Sequence, residues 1–178
     1  MSSTYSPSLK ITLIGDGDQA GIWGQTTNTN LGTLLEQAIT GVQSIAMSDA
    51  NYTLSNYNGV SDEARNAVLV VTGANNAVRD LIPPVVKKLY TIVNNTSGGY
   101  DIRVIGTSGT GVNIPNGTTC LVYCNGTNFY QALGSGSLNT TNFTVQQSGS
   151  TLVFQYNGAN VATLSSTGDF NAVTVTAG

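Results

Sequence analysis

Histidine is missing from all 178 residues, which removes Ser-His-Asp and Cys-His catalysis and the common histidine-bearing zinc sites. Charge is scarce as well: 8% of residues, with 6 basic and 9 acidic side chains and a formal net charge of −3. That balance cannot supply a basic stripe able to neutralise several phosphates, so nucleic acid is not an expected partner. No apolar run approaches the roughly 20 residues that a membrane-spanning helix requires, and no membrane partner is expected. The start, MSSTYSPSLK, lacks the charged-then-apolar order of a signal peptide, so a soluble chain without a Sec-type address is expected.

There are only two cysteines, Cys120 and Cys124, in the strand-like segment TTCLVYCNG. Four positions apart on a strand they would be separated by about 13 Å, beyond the ~4.4–6.8 Å between Cα atoms that a disulfide tolerates. Two thiols facing the same way, or an intermolecular bridge, are the remaining readings.

Glycine (21 residues), Asn, Thr and Ser are abundant, and hydrophobic residues make up 40%. A compact chain of this length buries roughly 70% of its unfolded surface, enough for a true core. KITLIGDGDQA reads as a strand, Leu9 to Ile14, entering a glycine loop with the G-x-G-x-x-A spacing of a dinucleotide turn. Gly21, Gly24 and the pair Thr26-Thr27 oppose an immediate helix, so the polarised helix end that holds a pyrophosphate is not expected, nor is a bound nucleotide or other cofactor. Asp16 and Asp18 could supply two of the six to eight oxygens of a calcium site, but no Asp-rich continuation follows and no metal is expected. Trp23 reads as a packing anchor that fixes this loop against the following helix.

That helix is the one clear 3.6-residue pattern: Leu31, Leu34, Leu35, Ala38 and Ile39 share a face, with Asn30 as N-cap and Gly41 as stop. Strands are expected at Val42–Met47, Tyr52–Leu54, Ala67–Thr72, Leu89–Asn94, Ile102–Ile105, Cys120–Cys124 and Asn128–Ala132, with Pro83-Pro84 marking a break. Asp62, Glu63 and Arg65 read as a solvated turn whose ion pair contributes ~0–1 kcal/mol. A carboxylate pair for glycoside cleavage would have to be assembled from Asp16, Asp18, Glu36, Asp49, Asp62, Glu63, Asp80, Asp101 and Asp169, most of them in expected loops; no catalytic residue is assigned. The N-x-[ST] triplets at Asn51, Asn116 and Asn125 reflect an Asn- and Thr-rich composition rather than glycan acceptors.

Residues 133–142, LGSGSLNTTN, form a Gly/Ser/Asn linker between a module at 1–132 and a β-hairpin extension at 143–178. In TLVFQYNGANVATL, Asn157-Gly158 suits a type I′ turn. Pairing about it places Leu152, Phe154 and Tyr156 with Ala159 and Val161 on one apolar face and turns Gln155 and Asn160 the other way. A hairpin cannot hide such a face alone. Leu152, Phe154, Tyr156 and Val161 are therefore candidate trimer or partner contacts, and Trp23 is a further one.

From Tyr5 to Ala132 the order of segments resembles a module of tail-fibre and related virion proteins of tailed bacteriophages. The segments are YSPSLKITLIGDGDQAGIWGQTTNTNLGTLLEQAITG, DEARNAVLVVTG, IPPVVKKLYTIVNNTSGGYDIRV and GTGVNIPNGTTCLVYCNGTNFYQA. The later TTNFTVQQSGSTLVFQYNGANVATLSSTGDF is similar to short strand segments of phage fibres. The resemblance implies a virion structural protein, assembled in the host cytoplasm, that works as a homotrimer with other tail or capsid proteins as partners. The expected fold is mainly β, a strand-rich globular module with one short amphipathic helix and a β-hairpin extension, intertwined in the trimer. A tail fibre or tail adaptor is the first expectation. A capsid decoration (cement) protein is the alternative, favoured by the short segment after Ala132. A third reading, host attachment through a glycan, would use exposed aromatics such as Trp23, Tyr100, Phe129 or Tyr130.

Overall fold

The computed structural model describes residues 1–132, 138–139 and 142–172, in two compact units, Met1–Leu133 and Gly134–Gly178. The chain is mainly β. Strands β1 (Thr4–Tyr5) and β2 (Thr12–Leu13) form a small antiparallel pair. The apolar run Leu9 to Ile14 contributes only its centre to β2, because Lys10 takes a positive φ of 53°.

A continuous helix of 18 residues follows: α1 (Trp23–Thr29), a π-helical segment (Asn30–Leu35) and α2 (Glu36–Thr40). It begins seven residues before the expected N-cap. Asn30 lies inside it and uses its side chain elsewhere: Oδ1 accepts from the Thr12 amide at 3.0 Å and Nδ2 donates to the Thr12 carbonyl at 2.7 Å. The amide thus takes the place of a strand neighbour for β2 and ties the helix to it. Threonines, poor in helix interiors, bond back to the preceding turn, Thr27 to Trp23 O and Thr40 to Glu36 O, both at 2.9 Å. Gly41 ends the helix in extended geometry, φ −64° and ψ 136°, leading directly into a strand.

From there the chain alternates between two sheets. Strands β3 (Val42–Ala46), β5 (Val68–Thr72) and β7 (Lys88–Asn94) pair in parallel in one sheet. Strands β4 (Tyr52–Thr53), β6 (Arg79–Ile82) and β8 (Ile102–Val104) pair in parallel in the other. Each pair β3–β4, β5–β6 and β7–β8 is therefore one coil of a short stack. Strand β9 (Val112–Ile114) reverses direction against β8, while β10 (Thr119–Cys124) does so against β7 and is flanked in turn by β11 (Phe129–Gln131).

Inward ladders run across the coils, Ile45–Val71–Asn94 and Gln43–Leu69–Ile92–Cys120 on the first sheet and Tyr52–Leu81–Val104–Val112 on the second. They contribute Ile45, Leu69, Val71, Leu81, Ile92 and Val104 to a single core that also includes Tyr90, Ile102, Ile114, Val122 and Phe129. The corners at one end of β3, β5 and β7 stack backbone on backbone. Gly73 and Gly98, both at φ 108°, have no room for a Cβ, which would collide with the carbonyl oxygens of Met47 and Asn75 in the preceding coil. Only glycine combines that conformation with that approach. Asn94 sits in the core fully satisfied: it donates to Tyr100 O and Ile114 O and accepts from the Thr96 hydroxyl at 2.7 Å.

The second unit is one antiparallel meander of β12 (Leu138–Asn139), β13 (Phe143–Ser148), β14 (Thr151–Tyr156), β15 (Ala159–Leu164) and β16 (Phe170–Ala172). It is larger than the expected hairpin. Of the expected linker, residues 133–137 and 140–141 lie outside the described residues.

Candidate partner surfaces and a buried ionic cluster

The β14–β15 turn has positive φ at both central residues, 49° at Asn157 and 80° at Gly158, as a type I′ turn requires. Gln155 opposes Asn160 and donates to its side-chain oxygen at 2.8 Å. The other face differs from expectation beyond Ala159. A register shift between Phe154 and Gln155 skips Val161, so Phe154 faces Ala162 and Leu152 faces Leu164. Val161 is the extra residue of the irregularity and not a cross-strand partner. Phe143 lies beside Tyr156, ring centroids 5.0 Å apart, and Phe170 meets Phe154 edge-on at 6.3 Å. One face of the sheet thus gathers Phe143, Leu152, Phe154, Tyr156, Leu164 and Phe170, all exposed or half-exposed. The only buried apolar side chain described in this unit, Val153, is on the opposite face, between Gln146 and Thr163.

Trp23 is not the packing anchor expected. It is the first residue of α1 and 61% exposed. The helix face is likewise not buried as a whole: Leu34 is fully enclosed, whereas Leu31 is 59% and Ile39 67% exposed. Among the aromatics considered as sugar platforms, Phe129 is in the core and unavailable; Tyr100 and Tyr130 are exposed, and Tyr130 stacks on Tyr123 at 5.4 Å.

The expected solvated turn at Asp62–Arg65 is a buried ionic cluster. The two side chains are each 1% exposed and joined at 2.9 Å. Asp62 also accepts from the amides of Tyr57 and Arg65, and the Arg65 guanidinium donates to the carbonyls of Leu9, Tyr57 and Val60. One cation thereby ties the 57–62 stretch to the distant Leu9, so the pair is a structural rivet whose link to Leu9 no local pattern announces.

Lys88 reaches the same region. Its Nζ donates to Ala64 O at 2.9 Å and Asn66 O at 2.7 Å and lies 3.8 Å from the Tyr90 ring centre. Burial lowers its pKa from 10.5 to about 7; Asp62 opposes that shift and Arg65 adds to it. Such an amine could act as a nucleophile, but its two carbonyl contacts and the aromatic ring enclose it. Burial first, then Cys124 and Asp62, pushes the Tyr90 phenol upward, and its hydroxyl has no hydrogen-bond partner. A small cavity beside this cluster is lined by Ser8, Leu9, Asn56, Arg65, Lys88 and Tyr90.

Most carboxylates are engaged by other groups of the chain. Asp18 accepts from the Ser3 hydroxyl and amide and the Gln19 amide, which lower its pKa. Asp49 pairs with Arg79, and Asp80 with Arg103 at 2.7 Å. For Glu63 desolvation is outweighed by hydrogen bonds from Ser55 and Tyr52, so its carboxyl is lowered. Among the described residues no three His, Cys, Asp or Glu side chains converge on a possible metal position. Cys120 and Cys124 are free thiols on the inward side of β10, with burial pushing Cys120 upward. The G-x-G-x-x-A segment does precede a helix, contrary to expectation. Its strand, β2, belongs to an antiparallel pair and not to a parallel β-α-β unit, and the Ile22 and Trp23 amides already donate to Gln19 O.

No protein-family model, no curated protein and no solved structure matches the chain.

Proposed function

We propose that this chain is a non-enzymatic structural protein of a tailed-bacteriophage virion, a tail-fibre or tail-adaptor component that works as a homotrimer. The observation that carries this reading is the C-terminal sheet, whose face of Leu152, Phe154, Tyr156 and Phe170 is covered by no second layer among the described residues of its unit. Apolar surface of this kind is removed from water by a partner.

The coil stack supports the same reading. Strands β3 and β4 are edge strands, each paired on one side only among the described residues. Open edges and uncovered faces belong to chains completed by neighbours, and closed symmetry keeps such contacts from propagating without limit. The engaged carboxylates and the enclosed Lys88 fit a scaffold rather than a reactive pocket.

Light scattering on the purified chain should give the mass of three copies at micromolar concentration; a stable monomer would defeat the assembly. Antibody labelling of intact particles should decorate the tail. Label over the capsid would replace the tail assignment with a cement role, and particles free of the protein would remove the virion reading altogether.

A further inference from the structure

The helix carries a surface that the chain leaves unused. In an α-helix a step of four residues overshoots a full turn by about 40°, so side chains at every fourth position drift around the axis by about 160° over sixteen residues. The π-helical segment Asn30–Leu35, with its i→i+5 bonding, is wound more loosely and reduces that drift. Trp23, Thr27, Leu31, Leu35 and Ile39 are thereby brought into nearly one line along the helix. Three of the four apolar members, Trp23, Leu31 and Ile39, are among the most exposed large hydrophobic residues of the chain.

A second observation lies on the adjoining row, Gly24, Asn28, Gly32, Glu36 and Thr40. A Cβ added at Gly24 or Gly32 would meet nothing within 4 Å, and neither has a positive φ. Glycine at an exposed helical position weakens the helix relative to alanine. Among the described residues nothing packs against half-buried Gly24 or exposed Gly32 closely enough to require glycine there. Glycines eight residues apart beside an apolar line are what a second helix needs in order to approach closely.

We infer that this line and its glycine flank form the contact through which copies of the chain assemble helix against helix. The inference rests on the assembly reading above and names the surface. The partner is a copy of the same chain for three reasons. The helix bears one charged residue, Glu36, so there is little for an oppositely charged partner to recognise and little repulsion between copies. Its other polar residues are threonines, asparagines and glutamines, whose groups both donate and accept and can pair with themselves. Finally, Trp23, Leu31 and Ile39 leave on the order of 400 Å² of apolar surface exposed; at the usual ~60% apolar content this implies an interface of about 650 Å² per partner, close to the standard size.

The experiment uses the full chain, its single tryptophan and sedimentation velocity across micromolar concentrations. The wild-type chain should sediment as a trimer with blue-shifted Trp23 emission. Ile39→Asp and Leu31→Ser should each weaken association at least tenfold and move the emission to the red, with the far-ultraviolet β signal retained. Gly32→Ala separates the two roles of that glycine: it should raise the melting temperature of dissociated chains while weakening the trimer.

A wild-type monomer overturns both the assembly reading and this inference. A trimer that survives Ile39→Asp with unchanged Trp23 emission overturns the helix contact alone. So does a trimer that dissociates only on Leu89→Asp, on the outer face of the first sheet. A trimer tightened by Gly32→Ala overturns it as well.

Discussion

The two units solve the burial problem in opposite ways. Residues 1–132 enclose a core between two sheets, so that Leu69, Val71, Ile92 and Val104 are removed from water by the chain's own coils. Residues 142–172 form one sheet with no second layer, and their aromatic residues Phe143, Tyr156 and Phe170 stay on the surface. The first unit buries its apolar residues within its own coils; the second leaves an apolar face on its surface.

The comparison can be broken most directly at the ionic rivet. Arg65→Ala leaves the Asp62 carboxylate buried and unpaired and should lower the stability of the first unit by about 3–5 kcal/mol in urea unfolding. Gly73→Val adds a side chain where the Met47 carbonyl lies and strains a positive φ; a loss of about 2–3 kcal/mol is expected from thermal unfolding. Either change matching a surface substitution would mean the coils are looser than their stacking implies.

Lys88 sharpens the contrast through pH. Its folded pKa of about 7 lies below its unfolded value of 10.5, so between those limits the unfolded chain binds more protons and stability rises with pH. The slope should reach up to about 1 kcal/mol per pH unit in that window, and Lys88→Met should flatten it. The smallest effects belong to the surfaces. In dissociated chains Trp23→Ala should cost under about 0.5 kcal/mol, as an exposed side chain does. Phe154→Ala should leave the unfolding transition of the first unit unmoved, whereas in the assembled protein it should weaken association.

Strands were legible in the sequence wherever a short apolar run met glycine or asparagine, as at Val68–Thr72 and Lys88–Asn94. Strand β6 was not, because Arg79 and Asp80 interrupt the pattern and are held by Asp49 and Arg103 from elsewhere in the chain. The coil order escaped for a related reason: parallel pairing is non-local, and its register depends on corner contacts such as Gly73 against Met47. Glycine and threonine counts argued against a helix before Asn30, yet α1 forms there, with Asn30 clamped to Thr12. The partner surfaces were half visible. Leu152, Phe154 and Tyr156 follow from strand alternation, whereas Val161 was misplaced by an irregularity no local pattern announces. Trp23 looked like a core residue because tryptophan usually is one, and the straight line it joins exists only through the π-helical segment.

The two sides of the coil stack have unequal freedom. Where Gly73 and Gly98 rest on the preceding backbone, an inserted residue would lift one layer off the next. Across the stack, the connections 54–67 and 83–87, which lead from the second sheet back to the first, differ widely in length while delivering β5 and β7 to parallel pairing. A lineage of such chains can therefore rewrite its outward contacts along one flank, lengthening or trimming the exposed parts of those connections outside the Asp62–Arg65 pair, without rethreading the layers beneath.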